Sequence, residues 1–357
     1  MSAETHRLAL RRIREHVIKH ALPSITSIFH GGEPLLIGPQ GLDDMALRAQ
    51  DSLADVTEIR FGLQTNGTLL DEKFVAVARR HKIRIGLSLD GPPAHQNRFR
   101  FYPSGRGSAE RVERAAALLR DNPDVFGGIL CVVNVDVDPT EVWDYLCSFR
   151  PKSVDLLLPL SNYDRLPPGA GALHDVLRYG EWLVRFLELW YRAADDKPDI
   201  RYFSSIMRLL LGRRSLVESI GIGLVTLIVI ESNGDIEAVD SLKSCYAGAA
   251  STGLNVRSDS FDRALRAPAV MSRQMGINAL CATCRGCAFV TVCGGGYQPH
   301  RYSQASGFQR PSIYCASIQL LIQKIAGLMR DELAHTAIPI PSLVEALVDA
   351  EIKCPAL

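Results

Sequence analysis

Apolar residues Leu10, Ile13 and Val17 recur at the helical spacing i, i+3, i+7 with basic and polar positions between them, so the chain is predicted to open in an amphipathic helix. Short apolar runs then alternate with helical patterns. Strands are expected over 25–29, 58–63, 83–89, 127–133 and 154–160, and helices over 43–54, 70–81, 108–120 and 139–148. Strands alternating with helices predict parallel βα units. Most of the apolar runs end in polar or glycine residues: His30-Gly31-Gly32-Glu33-Pro34, Gln64-Thr65-Asn66-Gly67-Thr68, Asp90-Gly91-Pro92-Pro93 and Asn134. Sites of α/β sheets and barrels are built at those C-terminal strand ends.

The pattern changes after Leu166-Pro167-Pro168-Gly169-Ala170-Gly171, which reads as a linker. A long amphipathic helix over 172–193 carries Trp182, Phe186, Trp190 and Tyr191 and is expected to serve packing. A helix over 203–218 follows, then strands over 224–231 and 236–240 around the hairpin signal Ser232-Asn233-Gly234-Asp235. Ile318, Leu321, Ile322, Ile325 and Met329 mark one face of a further helix. The tail beyond about 336 holds Pro339, Pro341 and Cys354, read as a free thiol. Four regions are predicted: 1–165, 166–222, 223–335 and 336–357.

Composition narrows the class. The 357 residues, 47% hydrophobic and 22% charged, describe a globular protein with a sizeable core. A net charge of +1 gives no argument for nucleic acid or a membrane surface. The most apolar run, 220–230, is too short to span a bilayer and is closed by Glu231. The N-terminus Met-Ser-Ala-Glu-Thr-His lacks an apolar signal core, and the expected location is cytoplasmic.

Five of the nine cysteines crowd one glycine-rich stretch, Cys281-Ala-Thr-Cys284-Arg-Gly-Cys287-Ala-Phe-Val-Thr-Val-Cys293-Gly-Gly-Gly, closed by Cys315. Soft thiolates so gathered select zinc or iron–sulfur clusters, and spacing alone leaves both open. Disulfides rank last without an export signal. Cys131 and Cys147 are expected in the core, on a strand and a helix. Side by side, the strand-end loops offer groups for a zwitterionic ligand bearing a ribose. The Glu33 carboxylate suits an ammonium, an arginine (Arg98 or Arg100) a carboxylate, and Asn66 and Ser88 hydroxyls, while Gly31 and Gly32 let a ligand approach the backbone.

Phe29-His30-Gly31-Gly32-Glu33-Pro34-Leu35, Gln64-Thr65-Asn66-Gly67-Thr68-Leu69-Leu70 and Gly86-Leu87-Ser88-Leu89-Asp90-Gly91-Pro92 resemble radical S-adenosylmethionine enzymes, and the cysteine stretch resembles their C-terminal SPASM extension. Asp240-Ser241-Leu242-Lys243, Gly253-Leu254-Asn255-Val256, Pro299-His300-Arg301-Tyr302 and Pro311-Ser312-Ile313-Tyr314-Cys315 look like the cyclophane-forming maturases of ribosomally made peptides. The resemblance implies an α/β fold, a partial (β/α)6 TIM-like barrel over 1–165 lacking its first strand, a helical bridge over 166–222 and a SPASM region over 223–335. It implies that Gly31, Gly32, Glu33, Asn66, Ser88, Arg98 and Arg100 surround S-adenosylmethionine. Cys284, Cys287, Cys293 and Cys315 would hold an auxiliary 4Fe–4S cluster, with Cys281 and Cys245 either ligands of a second site or spare thiols. Asp240 is either a base on the substrate or a solvated strand-end carboxylate. The implied partners are a precursor peptide and an electron donor such as a flavodoxin or ferredoxin, and the implied reaction is a carbon–carbon crosslink. Two departures matter: no cysteine precedes Cys131, so the C-x3-C-x2-C loop of the family's primary cluster is absent from this sequence, and Val239 and Tyr297 stand where the resemblance implies cysteines of the second auxiliary cluster. The alternative is a non-catalytic peptide-binding protein keeping only an auxiliary iron–sulfur or zinc site.

Overall fold

A computed structural model describes residues 1–224 and 226–352. Helix α1 (Ala3–His20) opens the chain, its N-terminus capped by Ser2, whose hydroxyl accepts from the Thr5 amide at 3.0 Å. Six strands follow: β1 (Ser24–Phe29), β2 (Glu58–Thr65), β3 (Arg84–Ser88), β4 (Phe126–Val132), β5 (Ser153–Leu157) and β6 (Asp199–Ile200). Between and after them lie α2 (Gly38–Leu53), α3 (Glu72–Arg80), α4 (Pro93–Phe99), α5 (Ala109–Arg120), α6 (Pro139–Cys147), α7 (Leu177–Arg192) and α8 (Arg201–Leu210).

All five strand pairings are parallel, and the order is β1-β2-β3-β4-β5-β6. Right-handed crossovers that always step the same way put every connecting helix on one side of the sheet. The sheet therefore curls as part of a barrel, with its other face lining the interior. Burial follows position: Phe126, Gly128, Ile129 and Cys131 of central β4 are buried, whereas edge strand β1 has no fully buried residue and Ile28 is 53% exposed.

The second half differs from expectation in detail. The helix predicted over 203–218 stops at Leu210, where Gly212 takes a positive φ of 69°. The strand predicted over 224–231 is only β7 (Val229–Ile230); Val225 lies outside the described residues. It pairs antiparallel with β8 (Asp235–Glu237), which pairs with β9 (Ser251–Asn255), a strand the apolar pattern did not mark. Asp240 is not on a strand: it opens a 3-10 turn, Asp240–Ser244, just past β8. Short helices α9 (Phe261–Ala264), α10 (Pro268–Met271), α11 (Ala282–Arg285) and α12 (Val290–Cys293) lead to α13 (Cys315–Ala334). The tail forms a further helix, α14 (Ser342–Val348); Cys354 lies outside the described residues.

Two contacts join the second half of the chain to the barrel. Helix α13 crosses α7 so closely that a Cβ on Gly180 would stand 2.6 Å from Ser317 Cα, and Ser317 Oγ donates to the Val176 carbonyl at 2.7 Å. The aromatic face of α7 is core, as expected: Trp182 and Phe186 stack at 5.2 Å, and Trp143 and Phe203 meet Phe186 edge-on. At the other end, Ala9 of α1 is buried with Ile236, Val256, Phe261 and Ala264 around the small sheet.

Candidate functional site

The polar residues at the C-terminal ends of β1, β2 and β3 meet. Glu33 is the hub. Its Oε1 accepts from the Leu35 amide at 3.0 Å and the Thr65 hydroxyl at 2.8 Å, and its Oε2 accepts from the Asn66 amide at 2.9 Å. A carboxylate has about four lone-pair positions, so three neutral donors leave one acceptor site on Oε2. That remaining site fits an ammonium group. Nothing lies within 4 Å of where a Cβ would stand on Gly31 or Gly32, so the loop beside Glu33 is open to an incoming molecule. Asn66 folds its Oδ1 onto the Thr68 amide and hydroxyl at 2.9 and 2.7 Å, which turns its NH2 group to other partners. Ser88 Oγ accepts from Gln64 Nε2 at 3.0 Å and keeps its own proton to donate. Gln64 and Thr65 were legible only as parts of a turn; their role as supports of Ser88 and Glu33 comes from the strand register, in which Gln64 faces Gly86 and Thr65 faces Leu87.

The two arginines are placed differently. Arg100 forms a two-pronged pair with Asp90, at 2.5 and 3.1 Å, and Asp90 Oδ1 also accepts the Val132 amide at 3.0 Å. Its guanidinium is thus engaged in fixing the β3–β4 end. Arg98 is half-exposed, 3.6 Å from Asp136, in a loose surface pair that a ligand carboxylate can displace. Asp240 approaches the glycine loop from the second half of the chain, its Oδ2 3.9 Å from His30 Nδ1, and both side chains are exposed.

The second constellation is the thiol cluster. Cys281 stands before α11 and Cys284 within it, Cys287 in the following turn, Cys293 at the end of α12 and Cys315 at the start of α13. Burial, then its neighbour Cys281, pushes the Cys284 thiol well up; Cys293 and Cys315 act the same way. Burial and Cys315 push Cys293 up to about 12, while the Gly295 and Gly296 amides donate to its sulfur and oppose the shift. Thiols that raise one another form a donor set that a bound cation would ionise. The surroundings agree. Arg301 is buried beside Cys284, Cys281 and Cys293, and its Nε and one terminal nitrogen have no hydrogen-bond partner. An anionic thiolate-bound cluster at this place would give those nitrogens a partner.

Zinc and an iron–sulfur cluster both take thiolate ligands. Four thiolates on one zinc stand about 3.8 Å apart, from a Zn–S bond of about 2.3 Å. Among the described residues no three thiols gather within 4.8 Å of one another; the one donor group that does is His16, His20 and Asp262. Cys245 is set apart. Its sulfur sits 3.9 Å from the Pro299 carbonyl, and burial rather than another thiol raises it to about 11. The Tyr297 hydroxyl bonds Ser241 and Glu218. Cys131 is buried on β4 and Cys147 half-buried on α6.

Residues 5–146 match the sequence profile of the Radical SAM superfamily. Over 242 residues the chain is 31% identical to the cysteine-type anaerobic sulfatase-maturating enzyme of Clostridium perfringens strain 13, covering 65% of this chain and 63% of that protein. The chain thus spans less than two thirds of the length of that relative. Against the serine-type anaerobic sulfatase-maturating enzyme of Bacteroides thetaiotaomicron, identity is 23% over 367 residues, covering 96% of this chain and 86% of that protein. The solved structure of native anSMEcpe with bound AdoMet shares the fold at a TM-score of 0.79 and 23% identity, over 94% of this chain and 90% of that one. The same protein with AdoMet and the Kp18Cys peptide gives 0.78 at 22% identity, over 94% and 91%. The α/β fold with its six-stranded parallel sheet is therefore that of a radical SAM partial barrel.

Proposed function

We propose that this chain is a radical S-adenosylmethionine enzyme of the SPASM type that modifies a side chain of a bound peptide. The observation that carries the reading is the Glu33 carboxylate, held by three neutral donors beside an open glycine loop, with Asn66 and Ser88 at the adjoining strand ends. Glu33 binds the amino group, Asn66 and Ser88 the ribose or carboxylate, and Arg98 the carboxylate. When bound and reductively cleaved, S-adenosylmethionine supplies a carbon-centred radical that removes a hydrogen atom from the peptide; the protein supplies orientation and exclusion of water. Cys284, Cys287, Cys293 and Cys315 hold an auxiliary 4Fe–4S cluster, with Cys281 beside it. Asp240, across from His30 at the same mouth, takes a proton from the substrate. No C-x3-C-x2-C stretch occurs in this sequence, so no residue is assigned to a primary cluster and no electron transfer is routed through one.

The name of the Clostridium perfringens relative points to a sulfatase as the polypeptide matured, and the motifs around Asp240 and Cys315 favour carbon–carbon crosslinking of a precursor peptide. The crosslink joins two residues with loss of two hydrogen atoms, so fragmentation of the product peptide tells it from a change confined to one residue. Anaerobic reconstitution is the direct test. Roughly four iron and four sulfide per chain are expected, with S-adenosylmethionine binding weakened in Glu33→Gln; stoichiometric zinc without sulfide overturns the cluster assignment. A second reading is a non-catalytic peptide-binding partner that keeps the auxiliary site. The reading frame upstream of Met1 decides between them: an in-frame cysteine triplet supports the enzyme, and stop codons there support the partner.

A further inference from the structure

Helix α1 presents two histidines one turn apart, His16 and His20, on the same face. That face meets α9, and both imidazoles converge on one oxygen: Asp262 Oδ1 lies 3.0 Å from His16 Nδ1 and 2.8 Å from His20 Nε2. The three donor atoms lie within 4.8 Å of one another, the only such group among the described residues. Lys19 holds the other carboxylate oxygen, Oδ2, and leaves Oδ1 to the imidazoles. Two imidazoles and a carboxylate oxygen are a donor set for zinc and its neighbours in the first transition row. Bonds of about 2.0–2.2 Å to a tetrahedral zinc put neighbouring ligand atoms about 3.3 Å apart. The two Asp262–imidazole distances, 3.0 and 2.8 Å, lie within a few tenths of an ångström of that spacing.

We propose that His16, His20 and Asp262 form a surface zinc site that staples α1 to α9, and so ties the first helix of the barrel half to the small-sheet region. The joint is already built around it. Phe261 packs edge-on against His16, and Arg12 donates to the Val256 carbonyl at 2.9 Å, so the ligand-bearing elements are held in place before metal arrives. Preorganised ligands lose little freedom on binding. The fourth position faces solvent, because His20 is 41% exposed in its side chain. Joining two elements, the site stabilises the folded chain. Lys19, 66% exposed, swings into water when the ion enters.

The site is independent of the thiol cluster, and the experiment keeps them apart. Zinc is added to the anaerobically purified, iron-loaded chain, excess metal is removed by gel filtration, and bound zinc is counted in the wild type, His20→Ala and Asp262→Asn. Zinc taken by cysteines appears in all three and cancels. The wild type is expected to keep one more zinc per chain than either variant, and its melting temperature is expected to rise with zinc while theirs does not. Equal zinc and equal melting shifts in all three overturn the proposal. Lys19→Gln removes the competing cation and is expected to tighten zinc about threefold to tenfold; unchanged or weaker binding overturns the placement of the ion at Asp262.

Discussion

Single side chains decide the chemistry at two places. Glu33 combines a capping role, through the Leu35 amide, with support of the next strand end through Thr65 and Asn66. Glu33→Gln keeps the shape but loses the charge, and is expected to weaken S-adenosylmethionine binding roughly tenfold to hundredfold, the loss of a charge-assisted bond worth about 1.5–3 kcal/mol; equilibrium dialysis measures it, and unchanged affinity removes Glu33 from the site. His300 is the second case. It is buried against the Tyr314 and Tyr297 rings, and burial pushes its pKa down to about 3. A depressed histidine binds its proton in the unfolded chain before it does in the folded one, so its contribution is present above about pH 6.5 and is lost as pH falls toward about 3. His6, lowered to about 4 by burial and Arg48, acts in the same direction. Stability from urea midpoints is expected to fall by about 1.4 kcal/mol per pH unit for His300 alone, and His300→Gln is expected to flatten that slope; an unchanged slope assigns the acid loss elsewhere.

At the scale of elements, the strands that alternate with helices were legible because buried parallel strands need continuous apolar runs. Strands β6 and β9 were not. Two residues, Asp199–Ile200, carry no periodicity, and Ser251–Asn255 is held by its partner β8 rather than by apolar content. The loop after α12 shows how backbone and thiols depend on each other. Gly294 has φ of 63°, and a Cβ there would stand 2.1 Å from the Gly221 carbonyl oxygen; Gly307 has φ of 59° with open space around it. Gly294→Ala is expected to cost about 3 kcal/mol or more, clash added to left-handed strain, against about 1 kcal/mol for Gly307→Ala. Thermal unfolding compares the two, and similar losses would mean that the Gly221 approach does not constrain Cys293.

The whole molecule is joined twice. Helix α13 carries Cys315 from the thiol cluster onto α7 through the Gly180–Ser317 approach, and α1 packs onto the small sheet around Ala9. Among the described residues no helix is long and apolar enough to cross a membrane. Metal held by the folded thiol cluster would stabilise only the folded state, so on the proposed reading stripping it with a chelator is expected to lower the melting temperature of the chain. A melting temperature that ignores chelation would leave the cysteines without a structural load.

By itself the sequence determined the βα alternation, the polar strand ends with Glu33, Asn66 and Ser88, and the grouping of Cys281, Cys284, Cys287, Cys293 and Cys315, since these rest on periodicity and short-range spacing. Only the tertiary structure decided that Arg100 is engaged by Asp90, that Cys245 stands apart from the other thiols, that Asp240 faces His30, and that Asp262 arrives between His16 and His20. Those pairings join residues from separate elements, and no local pattern encodes which strand register or helix crossing will bring them together.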